Sequence, residues 1–102
     1  MDKELLEMLY NKILSGLAGV LEPNIKSISF YYNNKTVYVR FFVLNYIDDL
    51  HDELIYEDFI SYTSEDLSYD SIDIEVEVVK IKTPITYEEK EFEYKVYREY
   101  KL

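Results

Sequence analysis

The 102-residue chain contains no cysteine and no tryptophan, a single histidine, two glycines and two prolines. Without thiols it has no disulfide framework, no thiolate metal site and no cysteine nucleophile, and nothing points to an oxidising compartment. Histidine-based general-base chemistry would rest on His51 alone, and its helical spacing from Ile55 reads more simply as a helix-surface or core-edge position. So few glycines and prolines exclude a linker-rich or disordered chain. There is no phosphate-binding loop, and Gly16 and Gly19 fall late in an apolar helical stretch, where no nucleotide fingerprint belongs. No apolar run approaches the roughly 20 residues of a membrane span. The opening Met1-Asp2-Lys3-Glu4 carries acids where a secretory signal carries positive charge. The expectation is a cytoplasmic protein without membrane contact.

Positive charge is the other scarcity. The chain has 11 Lys/Arg against 21 Asp/Glu, a formal net charge of −10. Between Arg40 and Lys80 there is no Lys or Arg, while twelve acids fall in that interval, leaving nine acids against eleven Lys/Arg elsewhere. The acidity therefore belongs to one stretch, residues 41–79. Phosphate binding is driven by Lys and Arg releasing counterions, so this balance argues against nucleic acid as the ligand and for a basic partner. A solvated acidic face is the plainer alternative.

What is present suffices for a fold. Hydrophobic residues make up 48% of the chain, enough for the core of one domain spanning residues 1–102. Leu6, Leu9, Ile13, Leu17 and Val20 recur every three or four residues, which predicts an amphipathic helix from residue 2 or 3 to about 20, ended before Pro23. Its two glycines suit close packing on a sheet. Period-two alternation then predicts strands over 25–32 and 36–44, joined as a hairpin by Asn33-Asn34-Lys35, residues tolerant of positive φ. The second strand is apolar on both faces near its end, as befits a central strand. Asp48-Asp49 opens a second helix, running to residue 62 or 64, with His51, Ile55, Phe59 and Tyr62 as its buried stripe. Strands follow over 71–82, with Asp73, Glu75 and Glu77 outward, and over 91–101, with Phe92, Tyr94, Val96 and Arg98 sharing a face. The acids of the third strand are expected to face Lys95 and Lys101 of the fourth. The predicted fold is α+β: a two-layer sandwich in the order α-β-β-α-β-β, with a mostly antiparallel four-stranded sheet and both helices on one face.

No catalytic set emerges. A hard-cation site built from Asp48, Asp49, Asp52 and Glu53 is conceivable because such ions take oxygen ligands, but the spacing matches no EF-hand loop. The expectation is no catalytic residue, no metal and no cofactor. Twelve tyrosines are the remaining anomaly. Six suit strands, yet Tyr46, Tyr56, Tyr62 and Tyr69 lie in or beside the acidic stretch, where carboxylates around aromatic anchors make a protein-binding surface: charge accelerates encounter and desolvated aromatics slow dissociation. The candidate contacts are Asp49, Asp52, Glu53, Glu57, Asp66 and Asp70 for steering, with Tyr46, Tyr56 and Tyr69 as anchors.

The segment Glu22-Pro23-Asn24-Ile25-Lys26-Ser27-Ile28 leading into a hairpin, then Val39-Arg40-Phe41-Phe42-Val43, then an acidic helix opening Asp48-Asp49 and carrying Asp58-Phe59-Ile60, resembles the small immunity proteins of bacterial polymorphic toxin systems, including contact-dependent growth inhibition. The strand from Ile72 to Val79, the Thr83-Pro84-Ile85 turn and the closing Tyr94-Lys95-Val96-Tyr97-Arg98-Glu99 fit the same pattern. The resemblance covers nearly the whole chain. It implies a non-enzymatic inhibitor that binds and neutralises the C-terminal domain of a cognate, basic, nuclease-like toxin, with no catalytic residue to carry over. The rival readings are an acidic DNA-mimic or other protein-binding inhibitor, and a small carboxylate metal-dependent hydrolase. In isolation the chain is expected to be a monomer or weak dimer, and an exposed strand edge would allow pairing with a second copy or strand addition by the partner.

Overall fold

The computed structural model describes residues 2–18, 24–44, 55, 57–80 and 92–98. Their element order is α1 (Lys3–Gly16), β1 (Ile25–Asn33), β2 (Thr36–Val43), α2 (Ser61–Ser68), β3 (Asp73–Lys80) and β4 (Tyr94–Arg98). This is the predicted α+β order.

Asp2 starts α1 as its N-cap, its side chain accepting the Glu4 backbone N–H at 3.1 Å, and Glu4 adds negative charge at the positive end of the helix dipole. Leu9, Ile13 and Leu17 are buried, as the periodicity predicts. The helix stops at Gly16 rather than near residue 20, with Leu17 and Ala18 donating to Leu14 and Ser15 in a tightening last turn. Glycine is among the least favourable residues for continuing a helix. It is also the point of closest approach, though to α2 and not to the sheet: a Cβ there would run into Thr63 Oγ1 and lie 3.2 Å from Phe59 Cδ1.

The hairpin forms as expected. Asn33 pairs with Thr36 across a two-residue turn, and Asn34 and Lys35 both take positive φ, 51° and 61°. Primed turns of this kind match the twist of the strands they join. The sheet order is β3-β2-β1-β4, so the hairpin is the centre of the sheet. β1 is antiparallel to both its neighbours, whereas β2 and β3 are parallel, because the chain crosses over through α2 between them.

One face of the sheet carries Ile28, Phe30, Val37, Val39 and Phe41, all buried, continued outward by half-buried Ile74, Val76 and Val78. Both helices lie on this face. Tyr10 of α1 meets Phe30 edge-on at 5.1 Å, and Phe59, just before α2, meets Phe41 at 5.3 Å.

Three expectations need correction. The stripe that α2 buries is Ile55, Phe59, Thr63 and Leu67, while Tyr62 is 55% exposed. Residues spaced by four drift about 40° per step around an ideal α-helix. The wider π-helical turn over 57–60 brings them back toward one face. In β4, an irregularity opposite Ile28 and Ser29 sets Tyr94 against Phe30 and Tyr97 against Ile28, so these two tyrosines share the helix-side face. Phe92 lies on the opposite face against Tyr31. Finally, β3 and β4 occupy opposite edges, so Glu75 and Glu77 do not face Lys95; Arg40 of β2 takes that role, bonding Glu77 at 2.8 Å. Lys101 and His51 lie outside the described residues.

Candidate functional site

Residues 57–70 contain Glu57, Asp58, Glu65, Asp66 and Asp70 and no base. The burial of Phe59, Thr63 and Leu67 against the core, with Ile60 half-buried beside them, turns Glu57, Asp58, Ser61, Tyr62, Ser64 and Glu65 outward. Asp66 and Asp70 sit at the C-terminal end of α2, where the helix dipole disfavours negative charge and no base occupies the last turn. Lys12 of α1 compensates. Its Nζ donates to Asp66 Oδ1 and to the Asp66 carbonyl oxygen, both at 3.0 Å, and lies 3.4 Å from Asp70 Oδ2. The hydrogen bond to Asp66 holds the Lys12 ammonium above its ordinary pKa; desolvation opposes this and Asp70 adds to it.

The other acids are not drawn inward. Glu57, Asp58 and Glu65 are exposed and, together with Ser61, Tyr62 and, at the end of α1, Ser15, Gly16 and Ala18, they line an open groove between the two helices. Tyr69, 78% exposed, stands at the end of α2. Beyond it, Ser71 takes a positive φ of 58°. Ser71 N–H bonds the Ser68 carbonyl and Ile72 N–H the Leu67 carbonyl, at 3.0 and 3.2 Å, which is a Schellman closure with serine where glycine is usual.

Of the candidate contacts, the structure brings Glu57, Asp66, Tyr69 and Asp70 onto this helix and its closing turn. It divides them by role: Glu57 and Tyr69 are presented to solvent, whereas Asp66 and Asp70 are tied to Lys12. Tyr46, Asp49, Asp52, Glu53 and Tyr56 lie outside the described residues, as does the Asp48–Glu53 cluster considered for a hard cation. Among the described residues no three acids or histidines are grouped to hold a metal ion, and no helix is long and apolar enough to cross a membrane. Asp58 and Glu65 complete the groove without having been singled out. The signal for them was the correct helical stripe, which leaves Asp58 and Glu65 off the side that Phe59, Thr63 and Leu67 bury.

A family model described as MafI2 immunity protein matches residues 6–100. The match spans all four strands and both helices, beginning within the first turn of α1. No curated protein matches the chain.

Proposed function

Because the chain belongs to the MafI2 immunity protein family, and its partner is therefore a toxin protein, we propose that it neutralises that toxin by holding its basic C-terminal domain against the acidic, tyrosine-bearing surface of α2. The observation that carries this reading is the run from Glu57 to Asp70, five acids without a base, of which Glu57, Asp58 and Glu65 stay solvent-facing beside exposed Tyr62. Like charges along one helix repel, and a cationic partner relieves that repulsion. Tyr46, Asp49, Asp52, Glu53 and Tyr56 extend the same surface in this proposal.

A nuclease-like toxin fits best, since enzymes that grip phosphates are basic and an acidic inhibitor occupies or flanks the same ground. The inhibitor acts as a monomer or weak dimer in the cytoplasm of the toxin-producing cell, within a polymorphic-toxin or contact-dependent inhibition system. It acts by occupancy, without catalysis, and does not bind nucleic acid.

Stopped-flow association with the toxin domain tests the surface. Glu57→Lys/Asp58→Lys/Glu65→Lys is expected to lower the association rate at least about tenfold at low salt and to flatten its dependence on ionic strength. An unchanged rate and salt slope in a folded triple variant would place the contact elsewhere.

A further inference from the structure

The face of the sheet opposite α1 and α2 carries a second built feature. Tyr31, Tyr38 and Glu75 form one row across β1, β2 and β3. The two tyrosine rings stack at 4.6 Å, 10° from parallel, and Phe92 meets Tyr31 edge-on at 4.7 Å. Phe92 is held there by its backbone N–H, which donates to the hydroxyl of buried Ser29 at 2.9 Å. In the next row Arg40 donates from Nε at 3.1 Å and from its terminal nitrogen at 2.8 Å to a single Glu77 oxygen, while its guanidinium carbon lies 4.1 Å from the centre of the Phe92 ring. These side chains wall a recess of about 210 Å³, large enough for one long side chain.

A stacked tyrosine pair alone is an ordinary cross-strand contact. Here it is joined by a carboxylate. Glu75 is exposed, borders the recess opposite Tyr38, and has no hydrogen bond or ion pair among the described residues. Arg40 is engaged by Glu77 and Phe92, so among the described residues the walls carry one net negative charge beside aromatic faces whose quadrupoles attract cations. Arg40 itself shows the chemistry the walls accept: a guanidinium over a ring with a carboxylate at its edge. A planar guanidinium extends the tyrosine stack and bonds a carboxylate through two donors, which a lysine ammonium cannot do.

We propose that this recess receives an arginine side chain of the toxin, stacked on Tyr38 and paired with Glu75. The proposal rests on the toxin-binding reading but uses the face of the sheet opposite α2, so the toxin would reach around the β3 edge and touch both faces. Glu75→Gln and Tyr38→Leu are each expected to weaken toxin affinity about tenfold, mainly through faster dissociation. N-acetyl-arginine amide at millimolar concentration is expected to shift the backbone amide resonances of Tyr38 and Glu75, with no response to the neutral isostere N-acetyl-citrulline amide and none in Glu75→Gln. Toxin affinity within twofold of wild type in both variants overturns the proposal, whatever the small probe does, while leaving the α2 surface standing. If the wild-type protein bound no toxin, the broader reading would fall instead.

Discussion

Gly16 sets how closely the two helices approach. With a methyl group there, Thr63 Oγ1 and the Phe59 ring would have to give way. Gly16→Ala is therefore expected to cost about 1–3 kcal/mol, read as a lower urea midpoint with unchanged slope. Thr63→Ala, added to it, should return part of that loss by opening the space. That a glycine in this helix marks close packing was legible from the chain; that its neighbour is a helix was not, because periodicity shows which face is buried and not what covers it. Ser71 is a second point where the backbone asks for glycine. Its positive φ at the Schellman position carries a steric cost that glycine lacks, so Ser71→Gly should raise stability by up to about 1 kcal/mol, measured by the same denaturation midpoint.

At the scale of elements, the hairpin and α1 could be read directly because local chemistry determines them: an Asp N-cap, a three-four apolar stripe, and a two-residue turn whose residues tolerate positive φ. The second helix could not. Its buried face includes Thr63, a polar residue that a hydrophobic stripe omits, and its π-helical turn has no composition signature. Tyr62, which the sequence stripe counts as core, is exposed. The pairing of α1 with α2 through Lys12 has its own consequence for pH. Lys12, ordinarily at 10.5, is raised chiefly by Asp66, and Tyr10, ordinarily at 10.0, is raised by burial and then by Tyr94. A raised folded-state pKa contributes stability that is complete below the unfolded value and is lost as pH climbs through the folded one. Stability should thus hold through neutral pH and fall above about pH 10. Lys12→Met should reduce the alkaline slope while costing no more than about 1 kcal/mol at pH 7, since the pair is partly exposed. Thermal unfolding across pH 7–11 checks both.

Across the whole molecule, the fold class and the element order follow from the alternation of one helical and two strand patterns in each half of the chain. The strand order does not. Nothing in the apolar alternation of residues 73–80 says that they pair in parallel with β2, which puts Glu75 and Glu77 on the edge opposite Lys95. The surface was legible in the same partial way: a segment stripped of Lys and Arg announced an acidic face, but which acids stay exposed and which brace the helix depended on where Lys12 reached. Fast-exchanging and slow-exchanging amides should follow the strand order too. Hydrogen exchange is expected to be slowest in β1 and β2, which have a neighbour on each side, and faster in β3 and β4.

The position of the hairpin at the centre of the sheet also orders assembly. β1 and β2 meet across two residues, whereas Thr36 finds Asp73 and Phe30 finds Tyr94 only after long stretches of chain close into loops. Loop closure grows costlier with length, so the central pair can form early and the edges arrive last. The strand that carries Glu75 and Glu77 is thereby one of the two late parts of the sheet, and a partner bound there would be felt as resistance to unfolding as well as affinity.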